Sequence, residues 1–265
     1  MAARHVEIAQ DLLEDIENGI LSPGTLLPTE DELVERYAAS RNTVRRALER
    51  LANMGRIDTK QGSGSIVREY KPITHLAASI PGAQAQGRWS EYVTRLSQSD
   101  SANPQQRLKV SLEAATGVTA HLLHLDPSET EGFMVIRRCD RFVDGRLWER
   151  QVSHYPADLA MDTELMRPDY IERGTLAVLA ELGYPQTGSW DVVGARMPSP
   201  KDAALFGLGP GIPLLVHERV AYAGTRPIRF TKTYIPADGH QLLYAEGDVS
   251  PEHLRAASDV NIFEH

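Results

Sequence analysis

The 265-residue chain has one cysteine, Cys139, and no apolar run near the roughly 18 residues that span a bilayer. A lone thiol excludes an intramolecular disulfide framework and suits a reducing compartment. The N-terminus, MAARHVEIAQDLLEDIENG, lacks the apolar stretch of a signal peptide. A cytoplasmic protein without a membrane partner is the expectation. Motifs of catalysis are equally scarce: there is no nucleophile elbow, no Walker loop and no dinucleotide fingerprint. His121 and His124 share a helix face but lack a third ligand, so no metal, cofactor or catalytic residue is expected. What is present suits a globular protein. Hydrophobic residues make up 42% and charged residues 24%, which rules out a wholly disordered or collagen-like chain, and the length allows two domains.

Net charge is −8, which for the chain as a whole weighs against a polyanionic partner. Its distribution reverses that. Residues 1–35 carry a net −8, whereas residues 36–68 carry eight bases against Glu49 and Asp58, a net +6. A basic block inside an acidic chain marks one surface for nucleic acid.

Periodicity places that block. Residues 6–20 read as a helix with Ala9, Leu12, Leu13, Ile16 and Ile20 on one face, stopped by Ser22-Pro23-Gly24. A second helix starts at Thr29, which forms a capping box with Glu32. Ser40 caps a third, whose buried stripe is Val44, Leu48 and Leu51 and which ends at Gly55. Arg41, Asn42, Arg45 and Arg46 lie off that stripe. Two short β-prone runs then flank Lys60-Gln61-Gly62-Ser63-Gly64, a hairpin with a glycine tip. Three helices and a hairpin make a winged helix-turn-helix. A helix of this kind fits the major groove, where arginine prefers guanine and asparagine adenine. Thr43, Arg46 and the helix N-termini suit phosphates, with Lys60 and Gln61 beside the wing tip.

The run IENGILSPGTLLPTEDELVERYAASRNTVRRALERLANMGRIDTKQGSGSIV resembles the DNA-binding domain of the GntR family of bacterial transcription regulators. The resemblance rests on I..G.L.PG..LP.E..L, SR.TVR.AL..L...G.I and the G.G..V wing. It implies DNA contacts at Arg41, Asn42, Thr43, Arg45 and Gly62, and our candidate set adds Thr29, Ser40, Arg46, Lys60 and Gln61. Asp31 stands where many relatives carry a base.

Residues 71–85 read as a linker, 86–250 as a second domain and 251–265 as a tail, after a first domain of 1–70. Within the second, 108–112, 133–143, 147–155, 189–197, 214–222 and 228–235 are strand-like, and 118–125, 174–182 and a short stretch ending near Gly207 are helical. This is an α+β plan: a mixed, mainly antiparallel sheet with flanking helices. RRCDRFVDGRLWERQVSHYPADL and HERVAYAGTRPIRFTKTYIPADG each run strand, turn, strand, Pro-Ala-Asp, as two related halves. The layout resembles the UTRA effector-binding domain of the HutC branch, whose fold is similar to that of chorismate lyase. The resemblance implies a pocket for a small, often anionic metabolite. It places Arg141 on the anion, with Arg137 and Arg138 near Cys139 where a partner arginine is common, and Gln151 and Ser153 on the ligand. Glu218 and Tyr234 are second-half candidates, and Trp89-Ser90 resembles a closing loop. Trp148 and Trp190 read as core or interface. The expectation is a homodimeric regulator, a repressor reading a pseudo-palindromic operator under control of a small-molecule effector. The alternatives are an effector-independent repressor of the copy-control or transfer-control kind and an enzyme on the chorismate-lyase-like fold.

Overall fold

A computed structural model of the chain describes residues 3–60, 64–69, 73–76, 104–126, 132–143, 145–245, 249–258 and 260. They divide into two units, Met1–Pro72 with Met197–Pro213, and Ile73–Arg196 with Leu214–Val260. The excursion 197–213, expected in the second domain, thus clusters with the first.

In the first unit, α1 (Arg4–Glu17), α2 (Glu30–Tyr37) and α3 (Arg41–Asn53) precede the antiparallel strands β1 (Ile57–Lys60) and β2 (Gly64–Val67). The capping box of Thr29 with Glu32 is formed, and Ser40 Oγ accepts from the Thr43 amide. Helix α1 stops earlier than its apolar spacing suggests. Gly19 takes φ of 74°, and Ile20 is left 70% exposed instead of joining the inner face. Ile8, Leu12, Leu33, Val44, Leu48 and Leu51 pack together with Ile57 and Val67 from the hairpin. Each such burial contributes about 1.5–3 kcal/mol, which fixes the face of α3 that stays outside.

The second unit runs β3 (Ile73–Leu76), β4 (Pro104–Ala114), α4 (Gly117–Leu122), β5 (Phe133–Val143), β6 (Arg146–Pro156), α5 (Ala157–Ala160), a 3-10 turn at Glu164–Met166, α6 (Thr175–Glu181) and β7 (Gly188–Arg196). The excursion carrying α7 (Pro200–Phe206) follows, then β8 (Leu214–Ala223), β9 (Arg226–Pro236), β10 (His240–Leu243) and α8 (Pro251–Ser258). Six strands form one antiparallel sheet in the order β4-β5-β6-β9-β8-β7. The order is symmetric about β6 and β9: the two sequence halves become two three-stranded halves. Their bulges coincide, between Arg141 and Phe142 in β5 and between Ala221 and Tyr222 in β8.

Two expectations are corrected at the ends of this unit. The linker contains β3, which pairs in parallel with β10, and the tail contains α8. Gln241 donates to Thr74 Oγ1 at 2.6 Å and to the Val260 carbonyl. Local composition cannot reveal a strand whose partner lies far along the chain.

Candidate nucleic-acid interface and buried pocket

On α3, Arg41, Asn42, Arg45, Arg46 and Arg50 are exposed and Thr43 half-buried, while Val44, Ala47, Leu48 and Leu51 face the core. The outward face therefore carries Arg41, Arg45, Arg46 and Arg50, with the exposed Glu49 as an acid among them. Two of its arginines are engaged with the preceding helix: Arg41 pairs with Asp31, and Arg45 Nε donates to Glu30 at 2.9 and 3.1 Å. The acidic and basic blocks of the sequence are thus not separate surfaces; the turn between α2 and α3 brings them together. Both arginine side chains remain more than half exposed, at 57% and 58%. Exposed pairs of this kind are worth ~0–1 kcal/mol, so they orient the guanidinium groups and yield readily to phosphates. Among the described residues Arg46 and Arg50 make no ion pair. Thr29 and Ser40 are exposed caps whose hydroxyls are held by Glu32 at 2.8 Å and Thr43 at 2.8 Å. Lys60 ends β1; Gln61 and Gly62 lie outside the described residues.

In the second unit, strand alternation sends one set of side chains to a common face of the sheet, where they line a cavity of about 190 Å³. Its floor is a set of cross-strand rows. One row runs Leu108, Cys139, Gln151, Thr233, His217, and the next runs Arg137, Ser153, Thr231, Arg219. Arg141, Trp148 and Glu149 stand at one side, and Tyr155, Arg229 and Thr175 at the other. The volume is below that of pockets for drug-sized ligands.

Four arginines line this cavity, and their partners differ. Arg141 pairs with Glu149, its register partner on β6. Burial opposes the charge of Arg141, but the carboxylate beside it prevails and holds its pKa above the ordinary value. Arg219 Nε and Nη2 grip Asp191 at 2.6 and 2.9 Å, and His217 Nε2 lies 2.5 Å from the same carboxylate. Burial tends to raise the pKa of Asp191, yet the hydrogen bonds and charges of His217 and Arg219 bring it down to about 2. Arg137 donates to the carbonyls of Leu165, Arg167 and Asp169 at 2.6, 2.6 and 2.9 Å, clamping the 3-10 turn; burial lowers its pKa. Arg229 donates to Thr175 Oγ1 at 3.3 Å, and its Nε is buried without a partner. Between Ser153 Oγ and Thr231 Oγ1 there is a 3.0 Å hydrogen bond, and burial raises the pKa of Cys139.

Of the residues expected on the ligand, Arg137, Arg141, Gln151 and Ser153 line the cavity. Arg138, Glu218 and Tyr234 do not, and this corrects the expectation. Each is one position out of phase with the cavity-facing set, so its side chain leaves the sheet on the opposite face. There Arg138 Nε lies 3.8 Å from Asp140, Lys232 pairs with Glu218 at 2.8 Å, and Arg196 stacks over the Tyr234 ring at 5.9 Å. Trp148 is a wall of the cavity as well as a packing residue. Trp89 and Ser90 lie outside the described residues. Sequence reasoning missed His217, Arg219, Arg229, Thr231 and Thr233. The signal was available: aligning the two halves on their Pro-Ala-Asp ends carries the odd-numbered set of the first half onto the odd-numbered set of the second.

Two family models match the chain: one described as bacterial regulatory proteins, gntR family, over residues 4–67, and one described as UTRA domain, over residues 105–241. The chain is 24% identical over 241 residues to the histidine utilization repressor of Pseudomonas putida, covering 91% of each protein. It is 30% identical over 156 residues to the uncharacterized HTH-type transcriptional regulator YurK of Bacillus subtilis, covering 58% of this chain and 59% of that one. An uncharacterized HTH-type regulator of Mycobacterium tuberculosis is 41% identical over 70 residues, only 29% of its length. Among solved structures, PhnF from Mycobacterium smegmatis superposes with a TM-score of 0.52 at 20% identity, covering 93% of this chain and 100% of that one. A GntR-family transcriptional regulator of known structure gives 0.64 at 21% identity, covering 93% and 98%.

Proposed function

The chain belongs to the GntR family of bacterial regulatory proteins, with a UTRA domain after its DNA-binding domain, and from that premise we propose that it is a cytoplasmic repressor released from its operator by a small metabolite. The observation that carries this reading is the outer face of α3, where Arg41, Asn42, Arg45 and Arg46 leave the core side by side. Arg45 and Asn42 read base edges, and Arg46, Thr43 and the caps Ser40 and Thr29 hold phosphates. Asp31 and Glu30 orient the arginines before DNA arrives. Lys60, Gln61 and Gly62 follow the backbone from the wing.

Two copies act together, because a protein dyad reads a pseudo-palindrome and one α3 covers only half of it. The cavity, lined by arginines, hydroxyls and aromatic residues, favours an effector-controlled repressor over an effector-independent one. Gln151, Ser153, Thr231 and Thr233 supply neutral hydrogen bonds there and the arginines supply charge. Effector binding alters the separation of the two α3 helices and so weakens the complex. The histidine utilization repressors, similar over 91% of this chain, support the reading as a repressor.

The test is a gel shift on the DNA upstream of the protein's own coding sequence, repeated with a metabolite panel. The expected result is a salt-sensitive complex that one metabolite class dissolves. No retarded band at near-physiological salt would sink the proposal.

A further inference from the structure

Among the described residues, one cavity side chain, Arg229, has no carboxylate or set of carbonyls to answer its charge, and it is not the arginine that the family resemblance singles out. Aligned on Pro156-Ala157-Asp158 and Pro236-Ala237-Asp238, the two halves match without a gap, bulge on bulge. In the first half Arg141 stands opposite Glu149, and the two form an ion pair. The same positions of the second half are Ala221 and Arg229. The acid's place is taken by an arginine, and the arginine's place by an alanine. Arg229 is therefore the pseudo-symmetric mate of a neutralised pair, without the neutralising group.

Its surroundings agree. Arg229 is 9% exposed, and among the described residues its protein contact by hydrogen bond is the Thr175 hydroxyl. The carboxylate in the cavity lining, Glu149, is engaged by Arg141, and Asp191, the partner of the lining residues Arg219 and His217, is engaged by them. The other arginine without a carboxylate, Arg137, spends its donors on three backbone carbonyls. A buried cation in such a state is costly unless something pairs with it. Hydroxyls flank it: Thr175 beside the guanidinium, Thr231 two residues along on the same face, and Ser153 hydrogen-bonded to Thr231.

We infer that Arg229, flanked by Thr175 and Thr231, seats an oxyanion of the effector, a carboxylate or a phosphate, while Arg141 stays with Glu149. This rests on the reading of the cavity as an effector pocket. A planar guanidinium with free donors suits either oxyanion, and the hydroxyls donate to the remaining oxygens. The rest of the molecule lies over the neutral row of Gln151 and Thr233.

Thermal melts of the full chain decide it, run at constant ionic strength with benzoate, succinate, glycerol 3-phosphate, inorganic phosphate and, as the neutral control, glycerol. Wild type gains Tm with the carboxylates or with the phosphates but not with glycerol, and the arm that responds identifies the oxyanion. Arg229→Met loses the gain, with affinity down about tenfold or more, and Arg229→Lys keeps a weakened one. Without any anion, Arg229→Met melts at or above the wild-type temperature, because the buried charge is gone. A drop in Tm or a failure to fold in that variant overturns the assignment, since Arg229 would then be a structural donor. So does a wild type that no probe stabilises, or an anion gain that survives Arg229→Met. Operator retardation by wild type is scored separately. Retardation relieved by an effector that Arg229→Met binds equally well removes Arg229 and leaves the repressor reading standing. A chain that retards no DNA removes that reading, and the melts still decide whether Arg229 holds an anion.

Discussion

Arg41 and Arg45 each lean on an acid of the preceding helix, and that arrangement makes opposite predictions for the two sides of the pair. Arg45→Ala should lower operator affinity by about 1–3 kcal/mol and relax base preference at one position, as read by binding to operator variants. Glu30→Gln should raise affinity instead, by up to about fivefold, because it removes a negative charge from a surface that meets phosphates. Arg46→Ala should weaken binding to all sequences alike and reduce the salt slope by about 1. Base-specific loss there would reassign it from phosphate to base. His154 makes a separate prediction. Its ring is buried against Phe230, with centroids 5.5 Å apart, and burial pulls its pKa below 6.5 despite a hydrogen bond to the Phe230 carbonyl. The unfolded chain takes up this proton near 6.5 and the native chain at lower pH, so stability is full above that value and falls on acidification. Within the window the slope reaches about 1.4 kcal/mol per pH unit. Melts at pH 7 and pH 5 should show that fall in wild type and a smaller one in His154→Gln.

At the scale of elements, the helices declare themselves locally and the sheet does not. Thr29 with Glu32, Ser40 with Thr43, and Ser199 with Asp202 mark helix starts that a short window of sequence reveals. The hairpins β5-β6 and β8-β9 are equally plain, but which residues face the cavity depends on register, and one step exchanges His217 for Glu218 or Thr233 for Tyr234. The excursion between β7 and β8 is seated by close approaches that its glycines allow. Gly211 takes φ of +76°, and a Cβ there would meet Asn53 O at 2.4 Å and Gly55 N at 2.6 Å, both backbone atoms at the end of α3. Gly224, at φ of +61°, has open space around it. Gly211→Ala should therefore cost clearly more stability than Gly224→Ala, whose penalty is the backbone term of about 1–2 kcal/mol. Equal Tm losses would mean that the excursion moves away from α3 without resistance.

For the whole molecule, operator and effector must act on each other equally. If an effector lowers operator affinity by some factor, saturating operator lowers effector affinity by the same factor, which paired titrations on the intact protein measure. Unequal factors would show that the two sites do not share one equilibrium. The sequence by itself determined the winged helix-turn-helix, the outward face of α3, the α+β plan and the doubling of the second domain. Each is written in caps, turns and apolar spacing within a few residues of one another, where local sterics and burial act. Tertiary structure alone decided that Asp31 and Glu30 hold Arg41 and Arg45, that β3 pairs with β10, and that among the described residues Arg229 rather than Arg141 lacks a counter-charge. Those outcomes depend on which distant residues share a face, and pairing energies between residues far apart in the chain leave no local pattern.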